Sequence, residues 1–179
     1  MADLSTVSVQ EYVASVLPAQ LDDAKIHMDH ADYSVQYHVG DESYAVNYVN
    51  GHGKVVAGVV ENPLITVSMD EGAWRSSITH DTESADSMVS PAKMSASRME
   101  KIQNLKGKFN LELTKDSGDV VNSTTVFNGV ETPEVTLMMK AADYAKILSG
   151  ELNSQMAFMT GKLKFKGDMN FLMKLGALM

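Results

Sequence analysis

The amino-acid sequence predicts an α+β fold in which antiparallel strands carry helices on one face. Apolar and polar residues alternate from Val35 to Val39, which is the two-residue period of a half-buried strand. Trp74 and Ile78 lie four residues apart, which places both on one face of a helix. Stretches of both kinds recur along the chain, so strands and helices are expected to pack as layers.

The same order of residues occurs twice in the chain. When the sequence is shifted by 70 residues, residues 60–69 align with residues 130–139 without a gap, and apolar residues stay in phase beyond them. The later pairs are Trp74 with Tyr144, Ile78 with Leu148, Met99 with Met169, Ile102 with Leu172 and Leu105 with Leu175. We interpret this repeat as an internal duplication, with a first unit over residues 1–104 and a second unit over residues 105–179.

Four strands are predicted in the first unit. They cover Val35 to Val39, Tyr44 to Tyr48, Lys54 to Val60 and Leu64 to Met69. Asp70 follows the fourth strand and is predicted to cap the helix that carries Trp74. An N-terminal helix is predicted from the helical spacing of Val9, Tyr12, Val13, Val16 and Leu17.

The second unit repeats part of this pattern. Strands are predicted from Phe109 to Leu113 and from Val135 to Met139. A helix is predicted from Ala141 to Ser149, with Gly150 as its C-terminal cap.

The two units differ at one place. Residues 161–167 of the second unit read Gly-Lys-Leu-Lys-Phe-Lys-Gly, a strand with Leu163 and Phe165 on one face and lysines on the other. Residues 91–97 align with it in the first unit, where proline and small residues disfavour a strand and Pro91 favours a helix start. We therefore predict a helix from about Pro91 to Asn104 and a degenerate first unit.

Composition and net charge exclude some classes of partner and of chemistry. The net charge is −8 and the isoelectric point is near 5.0, so the average field repels a phosphate backbone and nucleic acid is not expected as a partner. The chain has no cysteine, which excludes thiolate chemistry. The sequence shows no secretory signal and no Ser-Lys-Leu-type peroxisomal address, so a cytoplasmic location is expected.

Catalytic and metal-binding patterns are weak. His27, Asp29, His30 and Asp32 have the spacing of metal ligands, but no third ligand is defined by the sequence, and we interpret them as a solvated helix end. No Ser-His-Asp order, phosphate-binding loop or paired-carboxylate motif stands out. The sequence therefore predicts no catalytic residue, no metal and no cofactor, and we expect that the protein is not an enzyme.

The segment Leu148–Met169 resembles the sterol carrier protein type 2 family. It reads Leu-Ser-Gly-Glu-Leu, then Ala-Phe-Met, then Gly-Lys-Leu-Lys and Gly-Asp-Met, followed by an apolar terminal helix. The resemblance is close over about residues 130–178 and reaches the first half through the repeat. It implies a five-stranded mixed sheet covered by helices on one face, here as two tandem copies with the first degenerate. It also implies a tunnel for fatty-acyl, sterol or similar ligands and lipid transfer without catalytic residues.

The terminal helix and the segment before it are the candidate ligand site. The helix carries two apolar stripes, whereas one is enough to dock it on the sheet, and flexible methionines suit irregular apolar guests. The residues predicted to contact the ligand are Met156, Phe158, Met159, Phe165, Phe171, Leu172, Leu175 and Leu178. The same apolar residues also fit an ordinary core.

Two classes of function follow from these observations. The first is non-catalytic binding or carrying of a lipid or other apolar small molecule. The second is an interaction module for a lipid-modifying enzyme that docks through the terminal helix. Transient membrane contact, a protein partner and a homodimer stay open, and the strip of Lys162, Lys164 and Lys166 fits either lipid headgroups or a solvated strand face.

Overall fold

The computed structural model describes residues 3–23 and 32–179, and eight strands in these ranges form one mixed sheet. The strands are β1 (Tyr33–Val39), β2 (Glu42–Val49), β3 (His52–Ala57), β4 (Ile65–Met69), β5 (Gly107–Thr114), β6 (Val120–Phe127), β7 (Glu134–Lys140) and β8 (Leu163–Gly167). Their order across the sheet is β3-β2-β1-β4-β6-β5-β7-β8. The fold is therefore α+β with one mixed sheet and helices, as predicted, and each half of the chain contributes four of the eight strands.

The helices are short and most begin at a side-chain cap. They are α1 (Val9–Glu11), α2 (Leu17–Asp23), α3 (Glu71–Ile78), α4 (Ala96–Gln103), α5 (Ala141–Leu148), α6 (Ser154–Met159) and α7 (Met169–Gly176). A π-helical turn, Tyr12–Val16, joins α1 to α2 and makes them one helical segment. Asp70 caps α3 as predicted, because its carboxylate accepts a hydrogen bond from the Ala73 amide at 2.7 Å.

β4 and β6 join the two halves of the chain. They pair antiparallel, with Ile65 opposite Phe127 and Met69 opposite Ser123. On either side of this pair, β1 lies parallel to β4 and β5 lies parallel to β7. The strands of the first and second halves therefore share one continuous hydrogen-bonded sheet.

The two faces of the sheet differ in polarity. One face carries buried apolar residues, such as Val35, Val67 and Leu137, which pack under the helices. The opposite face carries polar residues, among which Asn110 donates to the Glu134 carboxylate at 2.7 Å. A sheet with one face packed and one face in water explains the alternation seen in the sequence.

One predicted element differs from the structure between the halves, and one strand was not predicted. The predicted helix from Pro91 to Asn104 is divided into a 3₁₀ turn (Pro91–Lys93) and α4, because Ser95 begins a new helix by accepting a hydrogen bond from the Arg98 amide at 3.2 Å. β6 was not predicted, although its β-branched residues favour a strand. The strand at Leu163–Gly167 is confirmed, and the aligned residues of the first half form no strand.

Gly167 occupies a position that admits no side chain. Its φ is +109°, and a Cβ atom there would lie 2.3 Å from the Glu134 carbonyl oxygen of the neighbouring strand. Backbone atoms of a paired strand cannot move aside without breaking the ladder. The last glycine of the Gly-Lys-Leu-Lys-Phe-Lys-Gly stretch is therefore required by the close approach of β8 to β7.

We expect that Gly167→Ala destabilises the protein more than Gly118→Ala does. Gly118 has a similar φ of +93° but an open surrounding, so both variants carry backbone strain and only Gly167→Ala adds a clash. The difference in free energy of unfolding should be about 1–3 kcal/mol, measured by urea denaturation. Equal destabilisation by the two variants would contradict this packing.

Candidate ligand site

The candidate ligand site lies at the edge of the sheet formed by β8. Asn153 begins α6 by accepting hydrogen bonds from the amides of Gln155 and Met156 at 2.9 and 3.2 Å. Asp168 begins α7 in the same way, because its carboxylate accepts from the Phe171 amide at 2.7 Å. These caps set where each helix starts and therefore which of its residues face the sheet.

Three of the predicted ligand residues belong to the core. Phe171, Leu175 and Leu178 are buried on the inner side of the C-terminal segment. The Phe171 ring packs edge-on against the Phe127 ring, with 6.2 Å between centroids. Leu175 is fully buried, so an ionised side chain there would cost folding as well as ligand contact.

Arg98 anchors the end of this segment to α4. Its guanidinium donates to the Leu178 carbonyl and, at 2.8 Å, to the Met88 carbonyl. Burial lowers the pKa of Arg98 from its usual value, because desolvation disfavours the charge. These bonds hold the inner apolar stripe of α7 against the core.

Another three predicted residues are exposed. Met156, Phe158 and Met159 project from α6, and Met159 is 79% exposed. Met169 and Met173 of α7 are exposed as well. We call these five residues the methionine surface. The structure describes eight exposed large hydrophobic residues, and five of them fall between residues 156 and 173, so the exposure is concentrated in one segment.

Phe165 and Leu172 lie between these two sets. Both are half-buried and pack against the core cluster. The centroids of the Phe158 and Phe165 rings lie 5.6 Å apart, so α6 and β8 are in contact through aromatic side chains. The structure thus brings Phe158 and Phe165 together and leaves the outer surface of α6 uncovered by any described residue.

Two of the three lysines of the strip lie on the polar face of the sheet. Lys164 and Lys166 are exposed on the polar face, because side chains alternate along β8. The Lys162 ammonium lies 3.3 Å from an oxygen of Asp143, whose side chain is largely buried. Lys162 therefore holds α5 to the end of β8, a role that the sequence did not indicate.

The histidine and aspartate cluster gives no metal site in the described part of the chain. His27, Asp29 and His30 lie outside the described residues, and Asp32 accepts a hydrogen bond from the Asn50 amide at 3.1 Å. Residues 3–23 and 32–179 contain no group of three or more histidine or carboxylate side chains placed to hold a metal ion. Within the same ranges, no helix combines the length and the apolar character needed to cross a bilayer.

A cavity that the sequence analysis missed lies over the first half of the sheet. Its volume is about 320 Å³, and its lining includes five aromatic residues and two carboxylates, namely Tyr12, Tyr37, Tyr44, Tyr48, Trp74, Glu83 and Asp86. We call it the aromatic cavity. None of the eight predicted ligand residues is among the described residues that line it.

Stacked tyrosines form the floor of the aromatic cavity. Tyr37 on β1 stacks on Tyr44 on β2, with 4.8 Å between ring centroids. The Tyr37 hydroxyl donates to the Asp86 carboxylate at 2.7 Å, and the Trp74 ring nitrogen donates to the Tyr44 hydroxyl at 3.3 Å. The strand alternation predicts that these tyrosines point to one face, but the residues between 80 and 91 that cover them follow no regular pattern in the sequence.

The tyrosines of the aromatic cavity resist ionisation. Burial raises the pKa of Tyr12 and of Tyr48 to about 12, and the negative charge of Asp86 adds to the rise. Burial also raises the pKa of Tyr37 and of Tyr44, again with a contribution from Asp86. The site therefore keeps its phenols neutral over the physiological range.

We expect that the folded protein shows almost no tyrosinate absorbance at about pH 11. All six tyrosines have raised pKa values, whereas an unfolded tyrosine ionises near pH 10. Stability should fall as the pH rises above about 10, because only the unfolded state then releases these protons. Ultraviolet titration with and without urea tests this, and coincident curves would contradict the burial of the rings.

Comparison with known proteins relates the second half of the chain to one family. The family model described as the SCP-2 sterol transfer family matches residues 91–179, just under half of the chain. The peroxisomal multifunctional enzyme A of Dictyostelium discoideum is 44% identical over 69 residues, which are 38% of this chain and 15% of that protein. The hydroxysteroid dehydrogenase-like protein 2 of Danio rerio is 36% identical over 73 residues, which are 41% of this chain and 17% of that protein.

The chain thus spans less than a fifth of the length of these curated relatives. Among solved structures, the solution structure of the sterol carrier protein domain 2 of Helicoverpa armigera is 30% identical. That alignment covers 44% of this chain and 69% of the other, with a TM-score of 0.37. Residues 91–179, which include the whole methionine surface, therefore match the SCP-2 sterol transfer family.

Proposed function

We propose that this protein binds and carries an apolar lipid-like ligand, such as a fatty-acyl or sterol-like molecule, without catalysing its conversion. The proposal rests on two features that fall in the same segment of the chain. The segment that matches a sterol transfer family is the segment in which exposed methionine and phenylalanine side chains are concentrated. An apolar surface of this kind fits a role in binding apolar partners.

The proposed contact residues are those named from the sequence, with different roles for the exposed and buried members. Met156, Phe158 and Met159 would lie against the ligand, and half-buried Phe165 and Leu172 would form the inner side of its site. Phe171, Leu175 and Leu178 would support that wall from the core; the list as a whole stays a prediction. Each methylene that leaves water for an apolar site contributes about 0.8 kcal/mol, so a long acyl chain needs few polar contacts.

The alternative is an accessory module of a lipid-modifying enzyme, in which the methionine surface docks on protein. Its support is that the matching segment forms 15% and 17% of two much longer relatives, one named a multifunctional enzyme and the other a dehydrogenase-like protein. Methionine-rich surfaces adapt to protein partners as well as to lipids. A protein partner, a homodimer, transient membrane contact and a cytoplasmic location all stay predictions.

We also propose that residues 1–104 and 105–179 are copies of one unit and that the first copy is degenerate. The repeat in the sequence supports this proposal. So do two parallel strand pairs, β1 with β4 and β5 with β7, each of which leads directly into a helix, α3 or α5. A hydrophobic tunnel in the second copy belongs to the same proposal.

The methionine surface can be tested by two polar substitutions. We expect that protein exposed to phospholipid and fatty-acid vesicles and then re-isolated carries bound lipid detectable by native mass spectrometry. In the double variant Met159→Gln and Met173→Gln, lipid occupancy should fall several-fold while the melting temperature stays the same, because both side chains are largely exposed.

The matched control is Val59→Gln. Val59 is 71% exposed and lies outside the matched segment, so this change tests surface polarity alone. It should leave lipid occupancy unchanged. A lipid-free wild-type protein would refute the lipid proposal, and a stoichiometric protein partner retained by the wild type and lost from the double variant would favour the accessory module.

A further inference from the structure

The aromatic cavity is chemically unlike the methionine surface. Five tyrosine and tryptophan rings are part of its lining; among them, Tyr37 stacks on Tyr44, and Tyr12 packs edge-on against Trp74 with 5.3 Å between centroids. The faces of such rings carry partial negative charge and attract cations. A volume of about 320 Å³ is at the small end of the range for ligand sites.

The charges that line the aromatic cavity are acidic. Asp86 and Glu83 are both in its lining, and the other titratable group besides the tyrosines is His80. Among the described residues that line it, no lysine or arginine is present. The negative charge of Asp86 acts on all four tyrosines of the cavity, because it contributes to the raised pKa of Tyr12, Tyr37, Tyr44 and Tyr48.

Arg75, which follows Trp74 in α3, is engaged by other groups and is not in the lining of the aromatic cavity. Arg75 lies over the Trp74 ring at 5.4 Å from its centroid. Its guanidinium donates to the carbonyls of Leu4 and Val7 at 3.2 and 2.9 Å, which ties it to the N-terminal segment. Asp86 forms no ion pair with any described residue, and its one described hydrogen bond is the one that it accepts from Tyr37.

Two buried hydroxyl groups in the lining also lack partners. The Ser84 and Ser87 side-chain oxygens are inaccessible to solvent and form no hydrogen bond with the described residues. Buried hydroxyls usually find a partner, because leaving one unpaired costs about 1–3 kcal/mol. Because solvent does not reach these oxygens, a guest in the cavity would contact one of them only after its serine side chain rotates.

We propose that the aromatic cavity is a second ligand site, which takes a small organic cation of the quaternary or tertiary ammonium class. The tyrosine rings would surround the alkylated nitrogen, and Asp86 would supply the opposite charge. After a side-chain rotation, the Ser84 or Ser87 hydroxyl would meet a polar substituent of the ligand. Apart from Pro91, the described residues that line this site lie outside the matched residues 91–179.

The same charges disfavour a fatty acid in the aromatic cavity. A carboxylate placed beside Asp86 and Glu83 would be repelled, and burial would strengthen that repulsion. The site is therefore expected to select by charge, whereas the methionine surface selects by apolar area. The two sites can be tested separately.

Three small probes of similar size test the charge preference directly. Choline carries the cation, 3,3-dimethylbutan-1-ol has the same shape without the charge, and hexanoate is an anion. Trp74 is the single tryptophan of the chain and lines the cavity, so its emission reports binding there, while calorimetry measures affinity. We expect choline to bind about tenfold more tightly than its neutral counterpart and hexanoate not to bind at this site.

Two variants test whether the Asp86 carboxylate is the charge that favours choline. Asp86→Asn keeps the size of the side chain and an acceptor for Tyr37, and it should remove most of the preference for choline while leaving the neutral probe unchanged. Asp41→Asn removes the same charge from the exposed turn between β1 and β2 and should change neither affinity. Equal binding of choline and the alcohol by the wild type, tighter binding of hexanoate, or no change of Trp74 emission with choline would each overturn the proposal.

Discussion

The pairing of β4 with β6 is the interaction on which the rest of the structure depends. It joins strands from different halves of the chain at the centre of the sheet, with Ile65 opposite Phe127. Both side chains are buried, so the junction is also apolar. At its end, the Asn128 side chain donates to the carbonyls of Ile102 and Leu105 at 2.8 and 2.7 Å and ties the end of α4 to the same place. The two halves therefore form one continuous apolar face.

This shared face leaves two regions with different chemistry. On the side of β1 and β2, tyrosines and Trp74 surround a cavity that contains Asp86. On the side of β8, the inner stripe of α7 is used in the core, and the methionine surface faces outward. The first region offers a ligand polar and charged groups, and the second offers exposed apolar side chains. This contrast is the reason for assigning them different ligands.

The sequence predicted the elements better than it predicted the site. Alternation located β1, β2, β5 and β8, and β7 was predicted from its match to β4 in the repeat. Asp70 was correctly identified as a cap, because capping depends on neighbours along the chain. β6 was missed, since its residues alternate weakly between Val120 and Phe127. The two stripes of α7 were visible, but which one faces the core depends on Phe127, Gly107 and Arg98, which are distant in sequence. The aromatic cavity was missed for the same reason, because its cover comes from an irregular segment.

Methionine methyl groups allow the proposed lipid site to be observed directly, because the chain has 13 methionines distributed between core and surface. Carbon-13 labelling of these methyl groups and titration with deuterated palmitate should shift the resonances of Met156, Met159, Met169 and Met173. Buried Met88 and Met99 should change little. If saturating palmitate shifts no methyl group of the methionine surface, or shifts only resonances of the first half, lipid binding by residues 91–179 is contradicted.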